Sequence, residues 1–416
     1  MIGRSRIIGV LGLKVLGAVF ALTLSLIISR LYGVTAFGLF AVALTLSNIG
    51  ALIASWGLST SYMMDHSDND SHGKMAAVLL VNTSLCLLCA PLLWMFATHL
   101  ELGHLSSIVF AFIPFSILGA KAAALAVRGK QILNAALDDL ARNLLPLLLI
   151  LVFSHLFDAS GDVRNLTSAY LISSTLLISL ALFALKKNVP ASEFGFVDAI
   201  GYLRRCGLFL LKNGSTVTLA LVLILLATQA DRFFLAKMVD GKQLGLYAVA
   251  QAAVNLISYV SQSVVLTITP DLVKALKCGH SGTIASISRR YSILLVAISA
   301  ALLLCTKMLG HVYFSLYGIE EEMLADGINV LLVLLLGQGV GHLFGFGMTI
   351  ATHEFDRKIL LITQIVALSL SAALCLALIP QLGVMGAAIS TSTGSVLVKI
   401  VLWICYRKRN INVGVF

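Results

Sequence analysis

The sequence contains few charged residues and few prolines. Aspartate, glutamate, lysine and arginine together make up 12% of the 416 residues, and proline occurs 6 times. A typical soluble domain is about 25% charged, so this chain has too few polar groups to cover a surface in water. The composition excludes an ordinary soluble domain and predicts a helical protein that crosses a membrane many times.

The sequence also lacks the common motifs of catalytic and nucleotide-binding sites. It has no G-x-S-x-G elbow, no phosphate-binding P-loop and no H-E-x-x-H zinc motif. The 7 cysteines lie mostly within or beside apolar runs and suggest no disulfide framework. The segment from Met63 to Lys74 alternates acidic residues with histidine, but it lacks the closing glutamate of a calcium loop, so we expect a solvated loop. We therefore predict no catalytic residue, no metal site and no cofactor.

Apolar runs of about 20 residues recur along the whole chain, and each is long enough to cross ~30 Å of hydrocarbon. We count twelve of them. The fifth, at 141–157, is short and contains Pro146. These runs predict an all-α polytopic membrane protein with twelve transmembrane helices.

Lysine and arginine are unequally distributed between the predicted loops. If the N-terminus is cytoplasmic, the cytoplasmic segments carry 20 of the 29 basic residues, the outer segments carry six, and three lie inside predicted helices. The positive-inside rule then predicts that both termini are cytoplasmic. The net charge of +10 needs no nucleic-acid partner, because the excess faces anionic lipid.

A short motif occurs twice, 207 residues apart. The first copy begins at Arg30 with RLYGVTAFGLFAVA, and the second begins at Lys237 with KMVDGKQLGLYAVA. Asn48 corresponds to Asn255 at the same offset. An even number of helices in the first half gives both halves the same orientation, and internal repeats place a transport path where the repeats meet. The predicted organisation is an N-terminal six-helix lobe at 1–185, a cytoplasmic linker at 186–207, and a C-terminal six-helix lobe at 208–416.

Three lysines inside predicted helices are candidates for binding an anionic substrate: Lys14, Lys121 and Lys399. A lysine near the centre of a membrane helix costs on the order of 2.5–3.5 kcal/mol on insertion scales. Such a residue faces an aqueous cavity or extends its long stem to the headgroups. Both interpretations stay open for Lys121 and Lys399, whereas the depth of Lys14 favours a functional role.

Other charged residues also allow two interpretations. Asp138 and Arg142 are four residues apart, so a helix-face ion pair is as reasonable as a substrate role. Asp231 and Arg232 end the seventh predicted helix, where they could form a gate or an interfacial anchor.

The tenth predicted helix contains LGQGVGHLFGFG, with Gly337, Gly341 and Gly345 at small-xxx-small spacing. This spacing favours close helix packing. The alternative is a hinge, because glycine weakens a helix by about 1 kcal/mol relative to alanine. His342 is a candidate for proton coupling, although a satisfied interior histidine is the more common case.

Several stretches resemble a known family, and together they extend across most of the chain. They read SRLYGVTAFGLFAVALTLSNIGALIASWGLST, ADRFFLAKMVDGKQLGLYAVAQ, VRGKQILNAALDDLARNLLPLLL and ATHEFDRKILLITQ. They resemble the polysaccharide exporters and O-antigen flippases of the multidrug/oligosaccharidyl-lipid/polysaccharide (MOP) exporter superfamily. The resemblance implies a V-shaped pair of six-helix bundles around a central cavity that alternates between the two faces of a bacterial inner membrane.

The resemblance also implies a substrate. The family moves polyprenyl-diphosphate-linked oligosaccharides from the cytoplasmic to the periplasmic leaflet, so the expected partners are this lipid, membrane lipid, and a polysaccharide polymerase with its chain-length machinery. The candidates for contact with the anionic diphosphate are Lys14, Lys121, Lys399, Arg30 and Arg232. The candidates for gating or ion coupling are Asp231, His342, Gly337, Gly341 and Gly345.

Two other functions remain open. A drug or cation antiporter of the same superfamily typically carries embedded acids, and Asp231 is the one acid within the predicted spans, at a helix end. A membrane-embedded oligosaccharide polymerase needs a sizeable loop with catalytic groups, and we find none in the sequence. The flippase is the favoured prediction.

Overall fold

The computed structural model describes residues 4–59, 62, 73–156, 161–353 and 357–416. These residues are almost entirely helical and contain no strand. The loop predicted to be solvated falls mostly at 63–72, outside the described residues. The chain divides into two compact units, which we call the first lobe (1–32 and 39–222) and the second lobe (33–38 and 223–416).

The first lobe is a bundle of helices in which α7 packs mainly against two others. Helix α6 packs along α7, α4 also packs against α7, and α1 packs against α6. A 3-10 segment at Gly103–Ala111 leads directly into α4. The helices are α1 (Arg4–Tyr32), α2 (Val34–Ser55), α3 (Lys74–His99), α4 (Phe112–Val127), α5 (Gln131–Ala135), α6 (Arg142–Leu156) and α7 (Val163–Asn188).

A long helix, α8, begins in the first lobe and continues into the second lobe. Within the second lobe α13 packs along α14, α10 along α11, and α11 along α14. The helices are α8 (Phe196–Met238), α9 (Gly241–Lys277), α10 (Ser281–Leu316), α11 (Glu321–Leu343), α12 (Gly347–His353), α13 (Arg357–Leu382) and α14 (Val384–Arg407). The predicted linker at 186–207 thus contains the end of α7, a 3-10 turn at Ala191–Phe194 and the first turns of α8. Its boundaries remain a prediction.

Eleven helices among the described residues are long and apolar enough to cross a membrane. The fifth predicted span is not among them, because α6 has only 15 residues. However, α5, a π-helical segment at Ala136–Ala141 and α6 follow one another without a break. Together they form a helical run of roughly 39 Å by helical rise. With the eleven candidate spans, this run gives twelve long helices among the described residues, and the predicted all-α fold with two lobes is confirmed.

The helix of the predicted tenth span is interrupted after α11. Helix α11 ends at Leu343, and Gly345 has a φ of 75°, a left-handed conformation that glycine adopts without a steric penalty. The C-terminal tail packs on this break. The amide of Phe346 donates to the carbonyl of Val413 at 2.9 Å, and the amide of Val415 donates to Leu343 at 3.0 Å.

Candidate functional sites in the two lobes

The first lobe contains a cluster of charged residues on the π-helical segment. Lys121 Nζ lies 2.8 Å from Asp138 Oδ1, and Lys14 Nζ lies 3.5 Å from Asp139 Oδ1. The Lys121 side chain has no exposed surface, whereas that of Lys14 is 15% exposed. Lys121 therefore does not extend to the headgroups, and that interpretation is wrong for this residue.

A glycine on α1 allows this cluster to form. Gly17 lies one turn after Lys14 on the same helix face, and a Cβ at Gly17 would overlap the backbone carbonyl of Asp139. Asn143 strengthens the contact, since its Nδ2 donates to the carbonyl of Gly17 at 3.2 Å and to that of Asp139 at 2.9 Å. Because α1 approaches the π-helical segment so closely, the Lys14 ammonium reaches Asp139.

Arg142 is a cation of this cluster that forms no direct ion pair among the described residues, although the charge of Asp139 acts on it at longer range. Its Nη2 donates to Asn48 Oδ1 at 2.6 Å, and its guanidinium carbon lies 3.8 Å from the centroid of the Phe115 ring. The predicted pair between Asp138 and Arg142 does not form. Its i,i+4 geometry belongs to an α-helix, whereas Ala136–Ala141 is π-helical.

The charge cluster therefore combines three cations with two carboxylates. Sequence analysis identified Lys14 and Lys121 as substrate candidates but left Arg142 open between an ion pair with Asp138 and a substrate role. One sequence signal pointed to its site. Asn48, the amide that holds Arg142, is the residue duplicated as Asn255 in the second half.

A second ion pair in the first lobe fixes the segment that follows α7. The guanidinium of Arg128 contacts the carboxylate of Glu193 and donates to the Tyr62 hydroxyl at 2.9 Å. The Tyr62 hydroxyl donates to Glu193 Oε2 at 2.7 Å, and Glu193 is 1% exposed. Burial and the adjacent carboxylate raise the pKa of Tyr62 above its ordinary value, so its hydroxyl stays a donor.

Asp231 is buried in the second lobe with three donors around its carboxylate. It is 2% exposed. The Tyr247 hydroxyl donates to it, Thr391 Oγ1 donates at 2.7 Å, and the backbone amide of Arg232 donates at 2.9 Å. Helix α8 continues to Met238, so Asp231 lies inside a helix and not at its end. Its burial favours a role in gating or coupling over an interfacial anchor, and both roles stay predictions.

The glycines of α11 form its contact surface with α14. A Cβ at Gly337 would approach Ser392 Cβ to 2.5 Å, and a Cβ at Gly341 would approach Lys399 Nζ to 2.8 Å. Gly337 and Gly341 thus allow close packing, while Gly345 lies beyond the end of the helix. The hinge interpretation stays a prediction.

The remaining predicted site residues lie in different surroundings. His342 is 6% exposed, and its Nε2 has no hydrogen-bond partner among the described residues. Arg30, near the end of α1, is exposed, and Arg232 is half-buried. The structure thus brings Lys14 together with Lys121 in one cluster, and Lys399 against Gly341, but it places Arg30 in neither.

A polar cavity of about 260 Å³ lies inside the second lobe. Thirteen residues line it; five carry amides, five carry hydroxyls and none is charged. Sequence analysis missed this site. The signal was present on α9, where Gln251, Asn255, Ser258 and Gln262 follow one another at spacings of four, three and four, which places them on one helix face.

Comparisons with known proteins agree with the resemblance seen in the sequence. Residues 27–275 match a family model described as polysaccharide biosynthesis protein. A search of curated protein sequences finds no significant match.

Solved structures of membrane transporters share the fold. A structure of the lipid II flippase MurJ in an inward closed conformation has a TM-score of 0.73 at 12% identity, covering 95% of this chain and 86% of that one. An inward-facing multidrug resistance transporter of the MATE family has a TM-score of 0.69 at 13% identity, covering 97% and 98%. A MOP superfamily transporter from Pyrococcus furiosus has a TM-score of 0.68 at 16% identity, covering 97% and 95%. At these identities the likeness establishes the fold.

Proposed function

Because residues 27–275, more than half of the chain, match the family model, the chain belongs to the polysaccharide biosynthesis protein family, and we propose that it is a flippase for a polyprenyl-diphosphate-linked oligosaccharide. In this proposal it moves an O-antigen, capsule or exopolysaccharide unit from the cytoplasmic to the periplasmic leaflet by alternating access. The family match and the fold shared with a lipid II flippase support a transporter of a lipid-linked substrate.

The observation that carries this proposal is the excess cation of the first lobe. Arg142 donates to a neutral amide, stacks on an aromatic ring and forms no direct ion pair among the described residues, so its charge is offset only at longer range, by Asp139. A charge pair is stronger in a low-dielectric helical bundle than in water. The planar guanidinium also suits the oxygens of a diphosphate. We propose Arg142 as the main contact of the diphosphate.

The two lysines play different parts in this proposal. Lys14 is partly exposed and 3.5 Å from its carboxylate, so its ammonium can turn from Asp139 to a phosphate oxygen. Lys121 is fully buried and bonded to Asp138 at 2.8 Å, which suits a residue that fixes the π-helical segment. Of the other candidate cations, Lys399 and Arg232 lie in the second lobe, and we propose them as secondary contacts.

The proposed location is the bacterial inner membrane with both termini in the cytoplasm, because that orientation places most basic residues in cytoplasmic loops. The proposed partners are the polysaccharide polymerase and its chain-length machinery, which would receive the transported unit. Ion coupling would then involve Asp231 or His342, the buried titratable groups among the predicted coupling candidates of the second lobe.

A drug or cation antiporter is the second candidate function, and one observation favours it. Asp231 is a buried carboxylate inside a lobe, and a cationic substrate or ion requires such a group. The same fold also occurs in a multidrug resistance transporter.

Deletion of the gene in the cell that produces the glycan separates the two functions. A flippase predicts that the lipid-linked oligosaccharide accumulates on the cytoplasmic leaflet and that surface glycan is lost. The wild-type gene and the control variant Arg289→Met, which changes an exposed arginine, should restore the glycan, whereas Arg142→Met should not. An unchanged glycan with increased drug sensitivity would support the antiporter and contradict the flippase.

A further inference from the structure

The cavity in the second lobe has the chemistry of a site for a neutral, hydroxyl-rich ligand. Ten of its thirteen lining residues can form hydrogen bonds, and none of the thirteen carries a charge. An amide offers both a donor and an acceptor, as each hydroxyl of a sugar does. Such a lining matches a sugar ring better than a diphosphate or a lipid tail.

The amides that line the cavity are available to a ligand. The structure gives no hydrogen-bond partner among the described residues to the side chains of Gln251, Asn255, Gln262 or Gln338. The Oε1 atom of Gln251 is also buried. Buried polar groups are normally hydrogen-bonded to protein or water, because an unsatisfied one costs about 1–3 kcal/mol. The Oε1 atom of Gln251 is thus a buried acceptor for which the described residues supply no donor, whereas Asn255 and Gln262 are exposed to solvent.

The volume of the cavity limits the size of that partner. About 260 Å³ corresponds to eight or nine waters at roughly 30 Å³ each. It is smaller than the ~300–1,000 Å³ of pockets that bury a drug-sized ligand. The cavity therefore has room for one sugar ring.

A cation is a poorer fit than a sugar. Sites for hard cations usually combine carboxylates with carbonyl oxygens, and the lining of this cavity offers amide oxygens but no carboxylate to balance a positive charge. The nearby carboxylate of Asp231 already accepts from Tyr247, Thr391 and a backbone amide. Thr391 lines the cavity, but its hydroxyl is directed to Asp231.

We propose that this cavity binds one neutral sugar ring of the lipid-linked oligosaccharide and gives the protein a preference for sugar-bearing over sugar-free lipid. The proposal rests on the proposed function. It also gives the duplicated asparagine a different use in each half, because Asn48 holds the arginine of the charge cluster while Asn255 lines the neutral cavity.

The test compares two probes on the full chain purified in lipid nanodiscs. One probe is undecaprenyl diphosphate, and the other is the lipid-linked oligosaccharide extracted from the producing cell. Wild-type protein should bind the second probe at least ten-fold more tightly. Each of Gln251→Leu and Gln338→Leu should reduce this preference about five-fold, as expected for one lost hydrogen bond, and the double variant should abolish it.

The controls fix the meaning of each outcome. Binding of undecaprenyl diphosphate should not change in any of these variants, and Gln243→Leu, on the same helix as Gln251 but outside the cavity lining, should keep the full preference. If the double variant does not fold, the single variant Gln262→Leu serves instead, and it should reduce the preference about five-fold.

Three results would overturn the proposal. A folded cavity variant that keeps the full preference would show that the cavity does not bind sugar. If wild-type protein binds sodium, and the cavity variants lose sodium binding but keep the preference for the oligosaccharide, the cavity is a cation site. If wild-type protein binds neither probe, the proposed function fails and this inference fails with it, whereas equal binding of both probes refutes the cavity alone.

Discussion

The ion pair between Lys121 and Asp138 should stabilise the first lobe only while both partners are present. Asp138→Ala leaves a fully buried ammonium without its 2.8 Å partner. Loss of one partner of a buried pair costs about 3–5 kcal/mol. The loss has an upper limit, because a lysine can give up its proton at pH 7 for about 4–5 kcal/mol. The reverse change, Lys121→Met, should cost less, because water reaches the Asp138 side chain, which is 30% exposed.

The double variant Lys121→Met/Asp138→Ala separates the contribution of the charge pair to stability from the contribution of helix packing. Replacement of a buried ion pair by apolar groups is often neutral, so the double variant should lie within about 1 kcal/mol of Lys121→Met. The measurement is unfolding of the purified chain by sodium dodecyl sulphate in mixed micelles, followed by circular dichroism. The matched control is the exposed pair of Lys242 and Glu320, whose loss should cost at most about 1 kcal/mol.

One outcome would show that the ion pair of Lys121 and Asp138 does not stabilise the first lobe. If the double variant is as unstable as Asp138→Ala, the two charges do not stabilise each other, and the cost comes from lost packing. Transport by the folded double variant then tests the proposed structural role of Lys121, because activity should be kept when the π-helical segment stays in place.

Three further predictions follow from other parts of the chain. Glu193→Ala should destabilise the protein by about 3–5 kcal/mol in the same unfolding measurement, because it leaves Arg128 without its carboxylate; a loss below about 1 kcal/mol would contradict this. Thr391→Val should cost about 1–3 kcal/mol, because it removes a buried hydrogen bond to the carboxyl group of Asp231; unchanged stability would mean that this bond contributes nothing. A reporter active only in the cytoplasm should be active when fused after Phe416, and an inactive fusion would reverse the proposed orientation.

The helices could be predicted from the sequence because apolar length alone decides which segments cross a bilayer. The eleven candidate spans agree with eleven of the predicted runs, and the fifth predicted run is missing because α6 has only 15 residues. Proline has no amide hydrogen, so Pro146 cannot donate to the carbonyl of Arg142, and the run changes to π-helical geometry just before that position. Composition could not reveal this change of register.

The side-chain partners were harder to predict than the helices. The pairing of Lys121 with Asp138 depends on how two helices pack, which no local pattern records. The availability of Arg142 depends in turn on the π-helical register. The amide stripe on α9 is different, because the spacing from Gln251 to Gln262 is visible in the sequence. A search for charged residues inside helices does not find it, because none of its residues is charged.

The most direct test of the proposed function is translocation by the purified chain in liposomes. Lipid-linked oligosaccharide from the producing cell would be incorporated, and its exposure to an added glycosidase would be followed over time. We expect wild-type protein to make the lipid-linked oligosaccharide of the inner leaflet accessible to the glycosidase. Arg142→Met should slow this step, whereas the control Arg289→Met should not. Accessibility limited to the outer leaflet in the presence of folded wild-type protein would contradict it.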